Sequence, residues 1–224
     1  MKKVYIIGDC NTTRLEQYSY TSGAINNLDI DITFWSKAGQ SISRFDPVNF
    51  SKLNLESARI EYNKNEDILQ NTKKWEDIKD GGVAVFWIGY IDAKNYLHKY
   101  KNAEELALTY IERIIENFPL SEIILVEPHP QFVDNIFIST EKLPIVNYKE
   151  RKEQNDLLCE ALNKYAKEFG ITKVITQKEQ LDAMGLKEIT LKETADYHPI
   201  PTDGLDMKYI GCIYNLILSY IAVD

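Results

Sequence analysis

The chain has 224 residues, 44% of them hydrophobic and 27% charged, which suffices for one soluble globular domain with a proper core. Its formal net charge of -8 speaks against nucleic acid or an anionic membrane surface as the main partner, because both select basic surfaces. Three cysteines cannot complete an even disulfide framework, and with the three histidines they show no zinc-site spacing, so neither a metal nor another cofactor is expected.

The N-terminal Met1-Lys2-Lys3 is followed by Val4-Tyr5-Ile6-Ile7, an apolar run too short for a signal peptide and leading into Gly8-Asp9. No stretch approaches the roughly 20 apolar residues that cross a bilayer, so a cytoplasmic chain with reduced thiols is expected. Lys3–Ile7 reads as a buried strand, and Ile30–Ser36 as a second. The segment from Asn49 to Lys79 is polar and carries no strand signal; it reads as an insertion of helices and loop. Val83–Ile88 (VAVFWI) is the third strand, Ile123–Glu127 the fourth and Lys173–Thr176 a short fifth.

Helical periods separate these strands. Ala103–Asn117 places Leu106, Tyr110, Ile114 and Ile115 close to the i, i+4, i+7 rule, and Tyr148–Phe169 is closed by Gly170, a natural C-cap. The last helix begins around Leu205–Lys208 and runs to Ala222. Cys159 and Cys212 fall inside helical patterns and read as packed thiols. Strands apolar on both faces, alternating with helices, predict right-handed crossovers and a mostly parallel five-stranded sheet. The expected architecture is a three-layer α/β/α sandwich, flavodoxin-like in layout, in a single domain over 1–224.

In open parallel sheets the ligand crevice lies beyond the carboxyl ends of the strands. Four strand ends here are rich in glycine and polar residues: Gly8-Asp9-Cys10-Asn11, Lys37-Ala38-Gly39-Gln40-Ser41, Gly89-Tyr90-Ile91-Asp92 and Pro128-His129-Pro130-Gln131. At the first, Cys10 precedes a polar helix start, Asn11-Thr12-Thr13-Arg14. A thiol beside a helix N-terminus is biased toward thiolate, and the backbone N–H groups of that turn suit an oxyanion. The alternative is a small packed residue after the strand. Arg14 suits a substrate carboxylate or phosphate, or equally a salt bridge on the helix face.

VYIIGDCNTTR resembles the first sequence block of the SGNH (GDSL-like) hydrolases, a strand followed by Gly-Asp-Ser, with Cys10 in place of serine. Lys37–Ser41 is similar to the second block, whose glycine, here Gly39, offers an N–H to the oxyanion. Val85–Asp92 (VFWIGYID) is similar to the third, Gly-x-Asn-Asp, and the family's last block supplies an Asp and a His near the C-terminus. The blocks follow in the family's order over most of the chain. The resemblance implies an esterase-type hydrolase working through an acyl-enzyme, with Cys10 as nucleophile.

Two further departures shape the expected site. Ile91 stands where the family has its oxyanion asparagine, and Asn95 and Gln131 are the nearest replacement donors; losing one donor costs about 2.7–4 kcal/mol in the transition state. The last block is irregular: Asp196-Tyr197-His198-Pro199 has a single residue between Asp and His, while Asp203-Gly204-Leu205-Asp206 keeps the spacing but has Asp206 at the histidine position. An Asp does not replace a base poised near neutral pH. His198 is therefore the expected base, oriented by Asp196, with Asp203 in reserve. Asp92 either ties down the loop after the third strand or reaches substrate. His98 lies in a charged helical context and reads as exposed, whereas His129, between Pro128 and Pro130 in a rigid turn, suits substrate positioning. The expected partner is a small-molecule or carbohydrate ester. An acyltransferase on the same fold and a non-catalytic binding protein remain as alternatives.

Overall fold

The computed structural model describes residues 2–22, 30–36, 82–89, 102–119, 121–131, 133, 137–140, 143–190, 193 and 205–222. Within them, β1 (Lys2–Gly8), β2 (Ile30–Ser36), β3 (Gly82–Trp87), β4 (Ser121–Val126) and β7 (Lys173–Ile175) form one sheet in the order β2-β1-β3-β4-β7. Every pairing is parallel. The five strands are those the apolar runs predict. The polar segment Asn49–Lys79 lies outside the described residues.

Side chains alternate across the pleat. Tyr5, Ile7, Ala84, Phe86 and Leu125 point into one core, which α2 (Ala103–Asn117) and α3 (Tyr148–Glu168) cover. Val4, Ile6, Val83, Val85, Trp87, Ile124 and Val126 point into the other, covered by α1 (Cys10–Ser22), α4 (Gln177–Met184) and α5 (Met207–Ala222). The result is the expected α/β/α sandwich. Both faces of the sheet are dry because every central strand is apolar at consecutive positions.

Local chemistry sets the helix ends. Asn102 caps α2 by accepting from the Glu105 N–H at 2.9 Å. Gly170, at φ +79°, lets the chain leave α3, and the Ile171 N–H closes on the Ala166 carbonyl at 2.8 Å. Thr176 and Glu179 form a reciprocal capping box on α4. That short helix, and the antiparallel hairpin of β5 (Phe137–Thr140) and β6 (Leu143–Asn147), carry no clear period in the sequence and are additions to the expected elements.

Gly211 and Gly8 are required by close approach at the contacts of α1. A Cβ on Gly211 would come within 2.6 Å of the Tyr18 ring, so α5 packs flush on α1, and Tyr18 meets Tyr214 edge-to-face at 5.9 Å. A Cβ on Gly8 would lie 2.0 Å from Thr12 Oγ1 and 2.3 Å from the Trp87 carbonyl oxygen. Neither can yield without breaking the joint between β1, α1 and β3. Gly8→Ala is expected to lower the unfolding free energy by about 1–3 kcal/mol or more, read from urea midpoints at unchanged slope; a midpoint equal to the parent's would refute this joint.

Candidate active site

The strand pairings align the carboxyl ends of the sheet in one row: Ser36, Gly8, Trp87, Val126 and Ile175. The chain moves from β1 to β2 on one side and returns to β3 on the other. The order therefore reverses at β1/β3, where doubly wound sheets open a ligand crevice. Cys10 stands at that point.

The turn that presents Cys10 is built residue by residue. Asp9 is buried and caps α1: its Oδ1 accepts from the Asn11 N–H at 3.0 Å, and its carbonyl accepts the first helical bond from Thr13 N at 3.1 Å. The Asp9 N–H and the Thr12 hydroxyl both donate to the Trp87 carbonyl, each at 3.4 Å, pinning the helix start to the end of β3. Cys10 is thus the first residue of α1, partly exposed, at its positive end. Asn11 beside it is 1% exposed, and among the described residues its side-chain amide finds no hydrogen-bond partner.

Arg14, one helical turn beyond Cys10, donates from Nη1 to the Leu205 carbonyl at 2.8 Å. This bond ties α1 to the segment entering α5. Asp206 caps α5, its Oδ1 accepting from Lys208 N at 3.0 Å. A capping role explains why an Asp stands where the resemblance would have the histidine. Gly39, Asp92, Asn95, Asp196, His198 and Asp203 lie outside the described residues, as does His98.

The loop after β4 is the part the sequence described least. Side chains satisfy three successive carbonyls: Gln180 Nε2 donates to Glu127 O at 2.8 Å, Gln177 Nε2 to Pro128 O at 2.8 Å, and Gln131 Nε2 and Asn155 Nδ2 to His129 O at 3.4 and 3.3 Å. His129 Nδ1 lies 2.7 Å from the Pro130 carbonyl, which places the proton on Nδ1. His129 and Gln131 are each 2% exposed. Gln131, an expected oxyanion donor, gives an amide hydrogen to its own loop.

Glu127 anchors this loop. Its carboxyl accepts from the Gln177 N–H and from Asn163 Nδ2, and its N–H donates to Ile175 O at 2.9 Å. Burial lifts its pKa above the ordinary carboxylate value, and the two hydrogen bonds oppose that rise only in part. Cys159, whose sulfur accepts from Gln177 Nε2 at 3.2 Å, is pushed well above the ordinary thiol range, chiefly by burial. It is a packed neutral thiol, as its helical setting predicts. Among the described residues no group of His, Cys, Asp and Glu suits a metal ion, and no helix is long and apolar enough to cross a membrane.

No protein-family model matches this sequence, and no curated protein matches it. Solved structures do. A member of the lipolytic protein G-D-S-L family from Veillonella parvula superposes with a TM-score of 0.56 at 14% identity, covering 99% of each chain. A GDSL-like lipase from Bacteroides thetaiotaomicron gives 0.52 at 14% identity over 98% of this chain and 87% of its own. The psychrotrophic esterase EstA from Pseudoalteromonas sp. gives 0.51 at 10% identity over the whole of both. The chain therefore has the fold of the GDSL-like lipases and esterases, as the sequence blocks implied.

A raised carboxyl pKa means the folded state binds the Glu127 proton more tightly than the unfolded one. Its contribution to stability is complete below the ordinary value of 4.5 and is lost as pH rises through the folded value. Relative to the parent, Glu127→Gln is expected to gain stability as pH is raised from about 4.5 to neutral. Parallel pH profiles of urea unfolding for the two proteins would contradict that assignment.

Proposed function

We propose that this chain cleaves esters by covalent catalysis through Cys10. The observation that carries the reading is the placement of Cys10: a partly exposed thiol, first residue of α1, at the switch point of a GDSL-like sheet. The sulfur attacks the ester carbonyl carbon as its proton passes to a base, and the developing oxyanion is met by N–H groups at the helix start. Collapse expels the alcohol, which takes up the proton, and leaves a thioester on Cys10. Water then attacks the thioester carbonyl, releasing the acid and restoring the thiol.

His198 is the proposed base, with Asp196 orienting it, and Gly39 the proposed second oxyanion donor. The Arg14–Leu205 bond supports the first assignment, because it ties the segment entering α5, seven residues beyond His198 in the chain, to the helix that begins at Cys10. The substrate class we favour is a small acetylated carbohydrate, since no apolar lid-like stretch in the sequence advertises a lipid pocket. The three thiols make no disulfide, which suits a reducing cytoplasm.

The test is p-nitrophenyl acetate turnover with pre-steady-state sampling. A burst of p-nitrophenol equal to the enzyme concentration is expected, absent in Cys10→Ala, retained in Cys10→Ser, and slowed about 10²-fold or more in His198→Ala. Silence in the parent and in Cys10→Ser alike would overturn the reading. A burst without steady turnover, relieved by an added alcohol, would move it from hydrolysis to acyl transfer.

A further inference from the structure

Cys10, Thr13, Arg14 and Gln17 follow the i, i+3, i+4, i+7 rule and make the solvent-open stripe of α1. Thr13 and Gln17 are exposed, Cys10 and Arg14 half-buried, while Asn11, Thr12 and Leu15 on the other side are buried. Arg14 therefore stands one turn beyond Cys10 on the same open face, with about 5–6 Å between their Cβ atoms. Its side chain leans back toward that turn, because helical Cα–Cβ bonds tilt toward the N-terminus.

The guanidinium gives one N–H, from Nη1, to the Leu205 carbonyl at 2.8 Å. That acceptor is neutral, and among the described residues no carboxylate pairs with Arg14. The carboxylates of neighbouring turns are engaged elsewhere: Asp9 by the Asn11 N–H, Glu16 by the Ser36 hydroxyl and Asp206 by the Lys208 N–H. The other edge of the guanidinium, Nε and Nη2, is left without an acceptor from the described residues. Two parallel donors on a permanent charge form a fork that a carboxylate fills bidentately. A strap to Leu205 alone needs no such charge, since a neutral amide donates the same kind of bond. The surroundings add to the attraction. Leu205 lies just before α5, and Tyr18 meets Gly211 and Tyr214, so α1 and α5 run side by side with their N-terminal ends together. Both helix dipoles thus present their positive ends near Arg14.

We infer that Arg14 is a specificity residue that holds a carboxylate of the substrate, and that the ester cleaved at Cys10 carries this carboxylate within a few bonds of its scissile carbonyl. An acetyl ester of a sugar acid satisfies both this charge and the substrate class favoured above. The guanidinium stays charged at every working pH, so it takes no part in proton transfer.

The specificity role rests on the ester reading; recognition of charge beside Cys10 does not, and alkylation measures it without turnover. Iodoacetate and iodoacetamide both attach to a thiolate by displacing iodide, and only the first carries a carboxylate. Their rates at Cys10 are compared by mass spectrometry of the labelled peptide, with Cys212, a partly exposed thiol on α5, as internal reference. A change in thiolate fraction moves both reagents alike, so the ratio of the two rates reports anion recognition. In the parent, the iodoacetate-to-iodoacetamide ratio is expected to be about fivefold or more higher at Cys10 than at Cys212. Arg14→Gln is expected to lose most of that advantage. Equal ratios at the two thiols in the parent, or an undiminished Cys10 ratio in folded Arg14→Gln, overturn the inference. Should Arg14→Gln fail to fold, the comparison of the two thiols in the parent decides alone. Failure of the ester reading shows instead in the burst experiment, because p-nitrophenyl acetate carries no carboxylate. Where the burst is present, the preference in kcat/KM for 2-acetoxybenzoate over its methyl ester is expected to fall about fivefold or more in Arg14→Gln, and an unchanged preference overturns the specificity role.

Discussion

The structure depends on a contact that only a hydrogen atom permits. At Gly8 the space a Cβ would occupy is filled by the Thr12 side chain and the Trp87 carbonyl, so β1, β3 and the first turn of α1 close on one another. That closure places the positive end of α1 at the gap where strand order reverses, and so it places Cys10. The turn that presents the thiol is held by backbone geometry, through Asp9 as cap and Trp87 as acceptor. The same economy appears at the other end of α1, where Gly211 lets α5 lie against Tyr18. Arg14 then joins the start of α5 back to the helix that carries the thiol.

Beyond β4 the protein solves the opposite problem. The loop there is buried and irregular, so its backbone carbonyls have no ladder to satisfy them. Amide side chains from α3, α4 and the loop itself take that duty, and Glu127 receives two donors in a setting dry enough to raise its pKa. Such networks are stable only when each member is satisfied, since the low dielectric strengthens paired groups and penalises unpaired ones. Among the described residues Gln131 Oε1 and Asn155 Oδ1 find no donor, and the two dry cores on either face of the sheet supply the stability that tolerates them.

The site on this fold differs from the pattern its sequence blocks imply in ways that are chemically coherent. A cysteine is the stronger nucleophile at neutral pH and relies less on its base. In the proposed reaction, Ile91 in place of the asparagine leaves more of the oxyanion stabilisation to backbone N–H groups at the helix start. Asp206, in the histidine position of the last block, is taken by the fold as the cap of α5.

The sequence by itself determined the architecture. Each central strand is a run of β-branched and aromatic residues apolar at odd and even positions alike, and such a strand has no stable place except between two layers of helix. The glycine after α3 and the long apolar periods of α2 and α5 were legible for the same reason: they are local, and propensity or amphipathicity reports them directly. Cys10 was legible because its surroundings, strand before and helix after, are contiguous in the chain. Tertiary structure alone decided the β4 loop, where residues from 127 to 180 meet, and no window of sequence spans that distance. The short hairpin and α4 were lost for want of period, the hairpin also because Pro144 weakens its strand signal. Arg14 shows the division most plainly: its charge is read from the sequence, but the backbone carbonyl from the far end of the chain that it holds was brought to it by folding alone.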